Sequence, residues 1–180
     1  MSNRAGVVRR GVLAGLGGLG AVVGLGGCGF RPLYGAGPET AGVQDRLGEI
    51  NVLLIPERTG QLMRQALMAR LERGGSGSAR RFDLAVQFGL SSDAIAIQID
   101  NSSSRVRLVG TASWTLVAQD VQRRTVASGV AREVDGYNII NQQFFAAELT
   151  SVAVQRRMVD ALAEQVTTQL AVYFVRQAAG

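Results

Sequence analysis

The spacing of apolar residues switches from a strand period to a helical one in the second half of this chain, and that change limits what it can fold into more than any other feature. From Phe82 to Val134 apolar residues alternate with polar or small ones, the period of a strand with one buried face. Across residues 142–176 the period becomes helical: Leu149, Val152, Val159, Leu162, Val166, Leu170 and Tyr173 fall on one stripe. A sheet that is apolar on one side needs a cover, and an amphipathic helix supplies it as a second layer.

Residues 50–55 form an apolar run, broken only by Asn51, between Glu49 and Pro56, which suits a buried strand. After Pro56, Thr59 is placed to cap a helix whose Leu62, Ala66, Leu67 and Leu71 share a face, with Gly74 and Gly75 as the stop. Its other face carries Arg64, Arg70 and Arg73, which reads as a solvated face. Phe82, Leu84, Val86, Phe88 and Leu90 alternate, and then the parity flips to Ile95, Ile97 and Ile99, so a bulge or break is expected over residues 89–93.

Residues 101–104 read as a turn, and residues 105–117 as the next strand. Val106, Leu108, Ala112, Trp114 and Leu116 take one face of it; Arg105, Arg107, Thr111, Ser113 and Thr115 take the other. A hairpin at residues 119–123 leads to a return strand with Val126, Val130 and Val134 on one face. A helix over residues 142–176 would span about 50 Å, so a kink near Thr150 and Ser151 or an overhanging end is expected.

The expected fold class is α+β. It is a two-layer sandwich in which an about four-stranded, mostly antiparallel sheet is covered on one face by two helices, in the order β-α-β-β-β-α. The other face, small and polar, is left open to water or to a partner.

The N-terminal part reads as an export signal. Arg4, Arg9 and Arg10 precede an apolar, uncharged stretch over residues 11–24, followed by Leu25, Gly26, Gly27 and Cys28. The apolar stretch is too short to span a hydrocarbon core of roughly 30 Å. Leucine three residues before a cysteine, with two small residues between, is a lipoprotein cleavage and lipidation site, which makes Cys28 the expected lipidation residue. Lipidation also accounts for a single unpaired cysteine in an exported chain. Gly29 follows it where aspartate would signal inner-membrane retention, so outer-membrane sorting is expected. The domain layout is then residues 1–27 as signal peptide, 28–48 as lipidated N-terminus and tether, and 49–180 as one folded domain. Arg9-Arg10 also resembles a twin-arginine signal, and the export route stays open. Gly15, Gly17 and Gly20 spell a dinucleotide-binding pattern, but they lie in the segment to be removed and not in a βαβ unit.

Composition then excludes chemistry. There is no histidine and no lysine, so Ser–His and Cys–His nucleophiles, His-containing zinc sites, phosphate-binding Walker loops and Schiff bases are all absent. The 14 acidic residues form no suggestive cluster in the sequence. No enzyme activity, metal or cofactor is expected. Loss of Arg4, Arg9 and Arg10 lowers the formal charge of +5 to a mild +2, which does not point to nucleic acid.

Residues 28–35 read CGFRPLYG and resemble the mature start of the LptE family, the lipopolysaccharide-assembly lipoproteins of the outer membrane, in its alphaproteobacterial form. The resemblance extends loosely to Phe82-Asp83-Leu84, to Gly136-Tyr137-Asn138, and to Ala171-Val172-Tyr173-Phe174 at the end of the long helix. Phe82 stands where tyrosine is common, and Gly136 where serine is. The resemblance implies a domain seated as a plug in the LptD β-barrel, supporting that barrel's assembly and the delivery of lipopolysaccharide. Its partners would be an LptD-like barrel, lipopolysaccharide, and the membrane through acyl chains on Cys28.

Arg105 and Arg107 are the candidates for lipid phosphate contacts, since guanidinium forks match phosphate oxygens bidentately; plain solvated arginines are the competing reading. For Phe30, Pro32, Leu33 and Tyr34 two roles stay open: pinning the lipid-proximal chain to the domain, or packing on the barrel wall near the membrane interface. Two other functions compete with the barrel plug. One is a pilot or scaffold lipoprotein of another envelope machine, and the other a carboxylate hydrolase, against which the absence of histidine, lysine and clustered acids counts.

Overall fold

The structure, a computed structural model, describes residues 42–72, 79–97, 103–138 and 144–179. In chain order these form α1 (Val43–Gly48), β1 (Ile50–Val52), α2 (Arg58–Leu71), β2 (Phe82–Ile97), β3 (Ser103–Ala118), β4 (Thr125–Asn138) and α3 (Phe144–Ala179). The sheet order is β1-β2-β3-β4, with β1 parallel to β2 and the other pairs antiparallel. Helices cover one face, giving the α+β two-layer arrangement that the apolar periods imply.

α1 lies in the segment read as tether. It buries Val43 and Leu47 in the main core, and the Arg46 guanidinium sits over the rings of Phe82 and Phe174 at 5.5 and 5.4 Å. The first strand is shorter than the apolar run. β1 stops at Val52, Leu53 adds one last ladder bond to Leu84 O at 3.0 Å, and Leu54 is 76% exposed. Ile55 then turns back into the core beneath Gly60, where a Cβ would stand 2.7 Å from Ile55 Cγ2. Burial of Ile55 against a bare helix backbone therefore ends the strand early.

Thr59 does not cap α2. The helix begins at Arg58, Glu57 occupies the cap position without a side-chain bond, and the Gln61 amide donates to Ile55 O instead. Met63, Leu67 and Leu71 form the buried stripe, with Leu62 and Ala66 packed beside it. The arginine face is not simply solvated. Arg64 Nε donates to Val52 O at 3.2 Å, and Arg70 reaches Glu164 at 3.0 Å and Asp160 at 3.5 Å, tying α2 to β1 and α3. Arg73 lies outside the described residues.

β2 pairs with β3 without a break through residues 89–93; the irregularity falls later, at Ile95, between Ala94 and Ala96. Ile95 is 49% exposed, so the flipped parity marks the bulge residue itself. Ile99 and part of the expected turn at residues 101–104 lie outside the described residues.

On β4 the expected inner face is corrected. Val130 and Val134 are 59% and 50% exposed, while Ala131 is buried and Gly129 stands opposite Trp114. Small residues face inward here because α3 presses close, and Val126 packs on the core only where the register shifts beside Leu116.

α3 runs unbroken for 36 residues. Its buried residues include Val154, Met158, Val159, Leu162, Val166, Leu170 and Phe174, but Leu149 is 73% exposed. The helix has no break at Thr150 and Ser151, and Ala146, Glu148, Leu149 and Thr150 in its first turns are exposed. At about 3.3 Å per residue the 16-residue β2 and β3 are themselves some 50 Å long, so the remainder of α3 finds sheet beneath it.

Candidate functional site

Strand alternation splits the sheet into a helix-covered face and a bare one. Leu108, Ala112, Trp114 and Leu116 of β3 are buried under the helices; Arg105, Arg107, Val109, Thr111, Ser113 and Thr115 point the other way. Register adds Asp83, Gln87, Ser91 and Asp93 from β2, and Ser128, Val130, Arg132 and Val134 from β4, to the bare face. It is about 50 Å long, polar, and without helical cover among the described residues.

At one end of this face stand Arg105 and Arg107, two residues apart on β3 and both exposed. Arg107 Nη2 lies 3.3 Å from Asp93 Oδ2, its cross-strand partner, with the two side chains 49% and 56% accessible. A pair this exposed holds its partners weakly, so a stronger anion can displace it. Arg132, exposed and opposite Thr111, adds a third guanidinium to the same half of the face. Three arginines against Asp93 leave this end positively charged. The sequence reading missed Arg132, although its fixed distance from the alternating β4 residues was a usable signal.

The other end is built around Asp83, 6% exposed on the bare face. Asn51 Nδ2 and Gln119 Nε2 donate to its Oδ1 at 2.9 and 2.8 Å, and Arg123 Nη2 donates to its Oδ2 at 2.7 Å. These donors, Asn51 first, hold the carboxyl below its ordinary value against the opposing effect of burial. Asp83 thus fastens β1, β2 and the β3–β4 hairpin, where Arg123 takes a φ of 47°. A carboxylate between Phe82 and Leu84 in an otherwise apolar strand start was the signal for this cluster.

Asp83→Ala would strand three donors and is expected to lower stability by about 1–3 kcal/mol in chemical denaturation. Because the folded state lowers the pKa of Asp83, its contribution is present above the ordinary carboxylate range and is lost as pH falls through the folded value. Asp83→Asn should therefore show a smaller loss of melting temperature on acidification below about pH 4 than the parent chain.

Cys28, Phe30, Pro32, Leu33 and Tyr34 lie outside the described residues. Among the described residues no group of His, Cys, Asp and Glu is placed to hold a metal ion, and no helix is long and apolar enough to cross a membrane. Grooves beside α3 are shallow and open to solvent.

A polar sheet face backed by a helix-covered core, with charge at one end and a fastened hairpin at the other, makes this a small two-layer α+β protein. Solved structures share its fold. A chain from Caulobacter crescentus CB15 described as a lipoprotein is 24% identical, with a TM-score of 0.58 over 74% of this chain and 96% of that one. Rare lipoprotein B from Shewanella oneidensis is 10% identical, with a TM-score of 0.54 over 71% and 96%. A minor lipoprotein from Acinetobacter baumannii is 16% identical, with a TM-score of 0.52 over 69% and 91%. No curated protein matches significantly. The family model described as LptE, lipopolysaccharide-assembly, matches residues 47–170. The chain belongs to the LptE family.

Proposed function

We propose that this chain is a non-enzymatic outer-membrane lipoprotein, anchored by acyl chains on Cys28 after loss of residues 1–27, that plugs an LptD-like β-barrel. In this reading it supports the barrel's assembly and assists insertion of lipopolysaccharide into the outer leaflet. The bare sheet face is the observation that carries the proposal. The lumen of a large barrel is polar, so a plug needs a hydrogen-bonding outer surface and a core that stands without the partner. Thr111, Ser113, Thr115, Gln87 and Ser91 supply such a surface, and the helices close the core on the opposite side. Family membership supplies the lipopolysaccharide context. Residues 28–48 then form the lipidated lead-in and residues 49–180 the plug, with α1 at the end of the lead-in packed into the core of the plug.

The arginine end supports a lipid role. Arg105, Arg107 and Arg132 offer planar donor forks to phosphate oxygens, and the cross-strand pair of half-buried Val109 and exposed Val134 lies between them as an apolar surface for acyl chain. Arg105→Ala combined with Arg107→Ala is expected to weaken lipopolysaccharide binding about tenfold in a direct assay. The melting temperature should stay unchanged, because neither guanidinium is buried. Binding equal to that of the parent chain would remove the assignment. Purification of the tagged chain from outer membranes tests the wider proposal: an LptD-sized barrel should accompany it, whereas capture of a different envelope machine would favour the pilot reading.

A further inference from the structure

The hydrogen-bond parity of the sheet distinguishes its two outer edges. Gln119 N–H donates to Arg81 O at 2.8 Å and Ala118 N–H to Arg124 O at 2.9 Å. With the observed registers, odd residues of β3 turn their backbone groups toward β2 and even ones toward β4. On β4, therefore, Ser128, Val130, Arg132, Val134 and Gly136 aim N–H and C=O away from the sheet. On β2 the even residues aim theirs at β1, as the bond from Leu53 N–H to Leu84 O illustrates. β1 leaves after that bond. From Val86 to Ala94, β2 has no neighbouring strand on this side among the described residues.

The two edges differ in protection. Along β4, Gln169 Nε2 donates to the outward Val130 O at 3.1 Å, and Asp135 Oδ1 accepts the outward Gly136 N–H at 2.7 Å. Arg132, Glu133 and Asp135 add charge, and such caps and charges discourage an added strand. Residues 86–92 of β2 read Val-Gln-Phe-Gly-Leu-Ser-Ser, with neither a charge nor a proline. Exposed apolar side chains flank that stretch: Leu54 where β1 departs, and Ile95 at the bulge.

We propose that the β2 edge from Val86 to Ala94 is a strand-addition site, where an extended segment of the barrel partner joins the sheet through main-chain hydrogen bonds. This rests on the barrel partnership proposed above. Donor and acceptor pairs repeating at every second residue match an extended polypeptide backbone, and the flanking Leu54 and Ile95 offer contacts to its apolar side chains. Two other occupants fit less well. The chain's own residues 29–41 contain Pro32 and Pro38 with Gly29, Gly35 and Gly37, all poor strand formers. A second copy would pair its β2 antiparallel to this one to keep both helix layers on the same side. Its Gly42 end would then point the opposite way along the strands, against a common anchorage of both chains through Cys28 in one leaflet.

Ser92→Pro tests the site. Ser92 is exposed and its N–H points out of the sheet, so the proline removes no ladder bond while its ring obstructs an arriving strand. In outer membranes holding the tagged full-length chain, capture of the barrel is expected to fall about tenfold, with the melting temperature of the purified chain unchanged. Ser92→Lys should weaken capture in the same direction. A second readout needs no substitution. In the captured wild-type complex, amides of Phe88, Leu90 and Ser92 should exchange more slowly than in the free chain, while those of Gln87, Gly89 and Ser91 are slow in both. This alternation decides the matter if Ser92→Pro unfolds. Capture of the barrel with unaltered exchange of the even amides overturns the inference and leaves the barrel partnership standing. Failure of the wild type to capture any barrel overturns both. A dimer of the chain that Ser92→Pro dissociates assigns the edge to a second copy and overturns it too.

Discussion

Leu162→Ala is expected to cost about 3–5 kcal/mol of unfolding free energy, read from the denaturation midpoint at constant slope. Leu162 is fully buried in the middle of α3, and it meets the sheet at Gly110, where a Cβ would stand 2.8 Å from Leu162 Cδ1. The leucine thus fills the space left by a missing side chain on β3. Truncating it opens a void over bare backbone between two long elements that cannot close toward each other without moving the whole layer, which places the cost at the upper end for such changes. The contact also makes a paired prediction. Gly110→Ala alone should destabilise by about 1–3 kcal/mol through overpacking, and it should cost less in the Leu162→Ala background, because the new methyl enters the void. Strictly additive effects would show that the two positions do not share that space.

Cys28→Ala is expected to remove the chain from the outer membrane. The proposed anchor draws about 0.8 kcal/mol from each buried methylene of its acyl chains, far more than any surface feature of the domain could replace. Among the described residues there is no membrane-spanning helix to act as a second anchor. In fractionated cells the parent chain should pellet with outer membranes and the variant should remain with the soluble periplasmic or unprocessed material. Unchanged membrane association of the variant, or a free thiol on Cys28 in mass spectrometry of the parent, would remove the lipid anchor from the account. The melting temperature of the domain should be the same in both chains.

Much of the architecture was legible because alternation and helical spacing are local properties. Phe82, Leu84 and Val86 declare one face of β2 whatever lies beside them, and Val159, Leu162, Val166 and Leu170 declare the inner stripe of α3. Errors arose where a neighbour decided. Val130 and Val134 read as an inner face because they are the larger residues of β4, yet the close approach of α3 and Trp114 admits only Gly129 and Ala131 there. Thr59 carried the right chemistry for a cap, but Ile55 and Gln61 had already set where α2 starts. Arg64 and Arg70 read as solvated because nothing in α2 itself reveals that Val52 O, Asp160 and Glu164 lie within reach.

The candidate site divides in the same way. Arg105 and Arg107 were visible as two cations on the polar parity of one strand. That they share a face with Arg132, and that Asp93 engages Arg107, depends on the register of two neighbouring strands.

By itself the sequence determined the layers: which segments alternate, which coil, which side of each is apolar, and that no histidine or lysine chemistry is available to this protein. Only the tertiary structure decided the strand order, the positions of the bulges, the fastening of Asp83, and which sheet edge is capped and which has no neighbouring strand among the described residues. Periodicity is written into each segment by its own residues, whereas pairing, edge protection and close packing are settled between segments that lie tens of residues apart.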